Sequence, residues 1–243
     1  MDSNKGKVMT VTGLIDPSDV GNTTTHDHVI IDFNAILTEP MNKEEKYLMD
    51  QKIDINNLGW VRFNWASSKD NLIYTDINDA CQELNSYKKS GGNTIVDVTN
   101  IGLGRDPEKL RTISKKSGVN IVMGSSFYVE LAQKKNYTKD GIESLFETIM
   151  KDINYGADNT DVKSGIIGEV GCSWPWTDNE KKSMEASVSA HKTTGLPLLI
   201  HPGRNEYAPL EIINYIDRLG ADLDNVVMGH IDRSEEHTSE LQS

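Results

Sequence analysis

The chain has 243 residues, with 25 Lys and Arg against 37 Asp and Glu and a formal net charge of −12. That length suits one barrel-sized domain better than two small ones, and the acidic balance argues against nucleic-acid binding. No apolar run reaches the ~18 residues of a membrane span, the opening MDSNKGKVMT has no secretory apolar stretch, and two cysteines, Cys81 and Cys172, fit reduced thiols, so a cytoplasmic protein without nucleic-acid or membrane partners is expected.

The first β-rich run is 23–32, TTTHDHVIID. Residues 33–72 are polar, carry Trp60 and Trp65, and read as an insertion after it. A helix over 76–89 is stopped by Gly91-Gly92, and the buried strand 93–99 (NTIVDVT) follows. The helix predicted over 107–116 opens on Pro107 in its first turn and stops at Gly118. Strand 120–126 leads to a helix over 139–153, with Ile142, Leu145, Phe146 and Ile149 at helical spacing. Strand 165–172, helix 178–194, strand 196–201, helix 209–219 and strand 225–231 complete the series, the two helices ending at Gly195 and Gly220. This alternation predicts a parallel sheet with right-handed crossovers. Glu169 and His201 are 32 residues apart, and His201 and His230 are 29 apart, the length of one βα unit. The expected fold class is therefore α/β, with six strands visible where a closed parallel barrel needs eight.

The chemistry sits at strand ends. His26 and His28 in THDH have the i, i+2 spacing that points two imidazoles to one side of a strand. His201 closes the apolar run LPLLIH and His230 closes NVVMGH, the ends at which barrel active sites form. Glu169 places a carboxylate in GIIGEVG, a run too apolar to hold a charge unless it is paired or metal-bound. Four imidazoles and a carboxylate suit zinc, manganese or cobalt. His191, on a helix, and His237, in the polar tail, have no such placement.

These motifs, THDH, GIIGEVGCSWP, HPGRN and GHIDR, resemble the phosphotriesterase-related proteins of the amidohydrolase superfamily, and the likeness runs from about Met9 to Arg233. The resemblance implies a (β/α)8 barrel, of which about six of eight units are present, and a two-metal site, usually zinc, with His26 and His28 on one metal, His201 and His230 on the other, and Glu169, beside the place of the carboxylated lysine that bridges the pair in bacterial phosphotriesterases, as the bridging carboxylate. It implies a hydrolase in which a metal-bridging hydroxide attacks an amide, ester or phosphoester centre of a small-molecule substrate, and the family often forms homodimers. Arg105 and Arg204, as guanidiniums for an anionic group, and Tyr128 are the expected substrate contacts. Trp174 and Trp176 either wall the pocket or serve packing. A mononuclear deaminase-like site shares the HxH start, but the GIIGEVG carboxylate weighs against it.

The family pattern also has a catalytic aspartate at the end of an eighth strand, beyond this sequence. The general base is then unassigned, and the 243-residue chain is expected to be inactive as it stands, the alternative being a non-catalytic metal-binding protein or a non-functional fragment. The closing RSEEHTSELQS reads as the translation of a sequencing-library adapter, so 1–233 is expected to be the barrel and 234–243 a non-native tail. Without Glu235, Glu236 and Glu240 the charge of 1–233 is −12 minus −3, or −9.

Overall fold

A computed structural model of the chain describes residues 6–133 and 141–231. The tail at 234–243, with His237 and Arg233, lies outside the described residues.

The first element is unpredicted. Strands β1 (Val8–Thr10) and β2 (Gly13–Ile15) form an antiparallel hairpin. Val11, 3% exposed, sits at its turn, and its amide donates to Ile121 O, near the start of a strand of the main sheet. The hairpin thus covers the sheet at its N-terminal end. The strand predicted over 23–32 divides into β3 (Thr23–Asp27) and β4 (Ile31–Asp32). Only β3 enters the main sheet. β4 pairs antiparallel with β5 (Ile73–Tyr74), and this two-rung staple closes the base of the predicted insertion. The insertion itself holds 3₁₀ turns and two short helices, α1 (Leu58–Phe63) and α2 (Lys69–Leu72).

The remaining elements alternate as expected: α3 (Ile77–Lys89), β6 (Thr94–Asp97), α4 (Pro107–Ser117), β7 (Asn120–Ser125), α5 (Ile142–Asn154), β8 (Ile166–Gly171), α6 (Asp178–Thr194), β9 (Leu198–His201), α7 (Ala208–Arg218) and β10 (Val226–Met228). The main sheet runs β10-β9-β8-β7-β6-β3, and every neighbouring pair is parallel. Period-two alternation explains its two apolar layers. Ile95, Ile121 and Met123 face outward and pack with Leu84, Leu110 and Ile113 of the covering helices. Val96, Val122, Ile166 and Leu199 face inward and pack on one another, with Val8 of the hairpin against them.

The sheet is curled. Laid flat, its edge strands β3 and β10 would stand about 24 Å apart, from five gaps of about 4.8 Å. Yet the rings of His26, in β3, and His230, just after β10, have centroids 4.7 Å apart. Residues at the strand ends therefore converge on one axis, as in a (β/α)8 barrel. No helix among the described residues is long and apolar enough to cross a membrane. Cys81 and Cys172 are both free thiols.

Candidate metal centre

Strand β8 carries the central carboxylate. Strict alternation would put Ile167 and Val170 on opposite faces, yet both belong to the outer core beside α6. A register shift between them reconciles the two, and it turns Glu169 into the interior. Gly168 makes this possible. Its φ is +140°, and a Cβ there would lie 2.4 Å from Leu199 O. A second register shift, between Thr24 and Asp27 in β3, precedes His28.

The five predicted ligands meet. Glu169 is 1% exposed. Its Oε2 lies 3.1 Å from His26 Nε2 and 3.0 Å from His201 Nδ1, and its Oε1 lies 3.4 Å from His28 Nε2. His230 Nε2 lies 3.0 Å from His201 Nδ1. Two overlapping groups, His26-His28-Glu169 and Glu169-His201-His230, each hold their ligand atoms within 4.8 Å of one another. Glycine also serves here: a Cβ on Gly229 would stand 3.2 Å from the His26 ring. His230 adopts a left-handed φ of 55°, a conformation that costs an L-residue about 1–2 kcal/mol.

Electrostatics follows from this crowding. Burial pushes the Glu169 carboxyl upward, and hydrogen bonds from the protonated rings of His201, His26 and His28 more than reverse it, holding it well below the usual carboxylate range. Burial pushes His28 downward, and the hydrogen bond and charge of Glu169, with Asp97 and Asp27, raise it overall. Asp97 is fully buried beneath His28. Burial lifts its carboxyl to about 6, against the opposing pull of His28 and the amides of Val29 and Thr99.

The donor set fits divalent cations. Two nitrogens or oxygens bound at about 2.0–2.1 Å to one tetrahedral ion stand about 3.3 Å apart, and the four shortest contacts named above run from 3.0 to 3.4 Å. Glu169 Oε2 faces His26 of one group and His201 of the other, so the one carboxylate is shared between them.

The predicted substrate contacts are placed differently from one another. Arg204 is exposed beside His201 on the wall of a pocket of about 470 Å³ that Trp174 also lines, and its guanidinium lies 5.6 Å from the Trp65 ring centroid. Tyr128 is 6% exposed, and its hydroxyl lies 3.3 Å from His201 Nε2. It is thus a buried neighbour of an expected ligand, and Val129 beside it lines the pocket. Arg105 is spent elsewhere. Its side chain is 2% exposed, Nη1 donates to Asp152 Oδ2 at 2.8 Å, and Nε and Nη2 donate to Asp158 at 2.9 and 3.1 Å. Trp176 is buried and packs edge-on against Tyr215. The Ser173-Trp174 loop is held by buried Glu180, which accepts from the Ser173 amide and hydroxyl at 2.8 and 2.7 Å and closes a capping box with Thr177 at the start of α6. His191 is buried in hydrogen bonds with Leu196 O and the Asp222 amide.

Sequence reasoning missed Asp97 and Thr99. The run VDVTN ends a strand on a carboxylate and a hydroxyl, which is the available signal. Thr99 Oγ1 lies 3.0 Å from His28 Nδ1.

Comparison with known proteins agrees with this geometry. The model of the phosphotriesterase family matches residues 6–243. An N-acetyltaurine hydrolase of Salmo salar is 39% identical over 96% of this chain and 67% of its own length. A phosphotriesterase-related protein of Nematostella vectensis is 39% identical over 97% of this chain and 68% of its own. The crystal structure of a resiniferatoxin-binding protein from Rhodobacter sphaeroides superposes with a TM-score of 0.91 at 34% identity, over 95% of this chain and 64% of that one. The chain thus spans about two thirds of the length of the relatives it matches. A chain with this barrel, this cluster and these relatives belongs to the phosphotriesterase family.

Proposed function

We propose that the whole protein is a metal-dependent hydrolase of a small-molecule amide or ester, with two zinc ions held by His26, His28, Glu169, His201 and His230. The single observation that carries this reading is the convergence of four imidazoles on one buried carboxylate at the strand ends of a barrel. Two divalent cations held there would supply Lewis acidity and a water of lowered pKa. Glu169 is a permanent carboxylate, so the bridge needs no prior lysine carboxylation. Its depressed pKa keeps it charged across the working range.

The chain's own residues would do the rest. Tyr128 steadies the His201 ring from its far nitrogen. Arg204 offers an exposed guanidinium beside His201, suited to an anionic end of the substrate. Trp174 walls the same pocket. The relatives named N-acetyltaurine hydrolase support an N-acyl amide carrying an anionic group as the first substrate to try. The free thiols Cys81 and Cys172 support a reducing, cytoplasmic setting.

The test is a hydrolysis screen of the purified whole protein over N-acetyl amides, lactones and phosphoesters, before and after chelation. Amide or ester turnover that chelation abolishes and zinc restores is the expected result. Turnover indifferent to chelation, or none on any class in a metal-replete protein, would overturn the proposal.

A further inference from the structure

We propose that Thr99 is a positioning residue that fixes the His28 ring proton on Nδ1 and so presents Nε2 bare toward Glu169. This rests on the metal reading above, because a bare Nε2 is what a cation requires.

A threonine hydroxyl has one proton to give. Thr99 Oγ1 lies 3.1 Å from Ile30 O, and a carbonyl oxygen can only accept, so the proton goes there. The lone pairs of Oγ1 remain, and His28 Nδ1 is 3.0 Å away. That contact is a hydrogen bond only if Nδ1 carries the proton. In the neutral ring the lone pair is then on Nε2, which faces Glu169 Oε1 at 3.4 Å. Two lone pairs face each other across that gap, an arrangement that a cation between them makes favourable.

The hydroxyl also reaches the Asp97 carboxyl, which when ionised can only accept, so either use of its proton leaves Nδ1 as the donor. Thr99 is 0% exposed, and its amide donates to Asp97 Oδ1 at 3.0 Å. Asp97, also 0% exposed, uses its other oxygen to accept from the Val29 amide at 2.8 Å. One buried carboxylate therefore ties together the segment after His28 and the segment bearing Thr99. The branched side chain restricts χ1 as well.

The experiment is long-range proton–nitrogen NMR of the imidazoles in metal-free protein at alkaline pH, where the rings are neutral, paired with metal retention against graded chelator. Wild type and Thr99→Ser should show His28 protonated on Nδ1. Thr99→Val, with a wild-type circular dichroism spectrum, should show the proton redistributed to Nε2 and hold metal about 10- to 100-fold more weakly. A wild-type ring protonated on Nε2 would overturn the proposal even if no variant folded. So would a Thr99→Val ring and metal affinity identical to wild type. A protein that takes up no metal would instead overturn the metal reading, and the ring signal would still decide what the hydroxyl does.

Discussion

The buried charges around Arg105 and those around Glu169 differ in how completely the chain answers them. Around Arg105, each contact runs from a proton to a lone pair. The guanidinium donates to Asp152 and Asp158, and Ser125 Oγ donates to Asp152 Oδ2 at 2.7 Å. That group is closed by the protein's own charges. Around Glu169, imidazole nitrogens crowd one carboxylate and one another at 3.0 to 3.4 Å, and the proton on His28 is turned away toward Thr99. Burial of a charge is common to both and distinguishes neither. The excess of lone pairs over protons is what marks the second as a place for cations.

The contrast breaks most sharply under substitution. His201→Ala in the whole protein should lose one metal ion and at least about 10³-fold in kcat, since a metal's stabilisation of the transition state is worth several kcal/mol. Retained turnover would remove His201 from the centre. Asp152→Ala should do the opposite. It leaves Arg105 buried with one carboxylate fewer and should cost about 3–5 kcal/mol in denaturant unfolding. Metal content in the variant that remains folded should be unchanged; a parallel loss of metal would show that the two groups are one.

A smaller effect sharpens the comparison at Asp97. Its folded carboxyl, lifted to about 6 by burial, holds a proton that the unfolded chain has already released. The sign is therefore a loss of stability as pH rises from the ordinary aspartate value through about 6, of at most about 3 kcal/mol. The penalty is absent below that window and complete above it. Unfolding midpoints of metal-free wild type minus those of Asp97→Asn should fall across it. A flat or rising difference would contradict the account.

Much of this was legible because it is periodic or local. Helix α6 was predicted with its observed bounds, Gly195 marking its end, and the structure adds the Thr177–Glu180 capping box at its start. The convergence of His26, His28, Glu169, His201 and His230 could be read from strand ends spaced by one βα unit. What could not be read depended on register or on distant partners. The shifts in β3 and β8 insert residues that no period-two pattern reveals. Arg105 looked like a substrate contact because Asp152 is 47 residues away. The β1–β2 hairpin is short, and its place beneath β7 is a tertiary fact. Thr99 is one of many strand-end hydroxyls until His28 is seen beside it.

The most direct test of the central claim is elemental analysis of the purified whole protein, beside Glu169→Gln. The account predicts close to two divalent ions per wild-type chain, and fewer when the shared carboxylate becomes an amide. A folded wild type that takes up none, even when incubated with zinc, would contradict it.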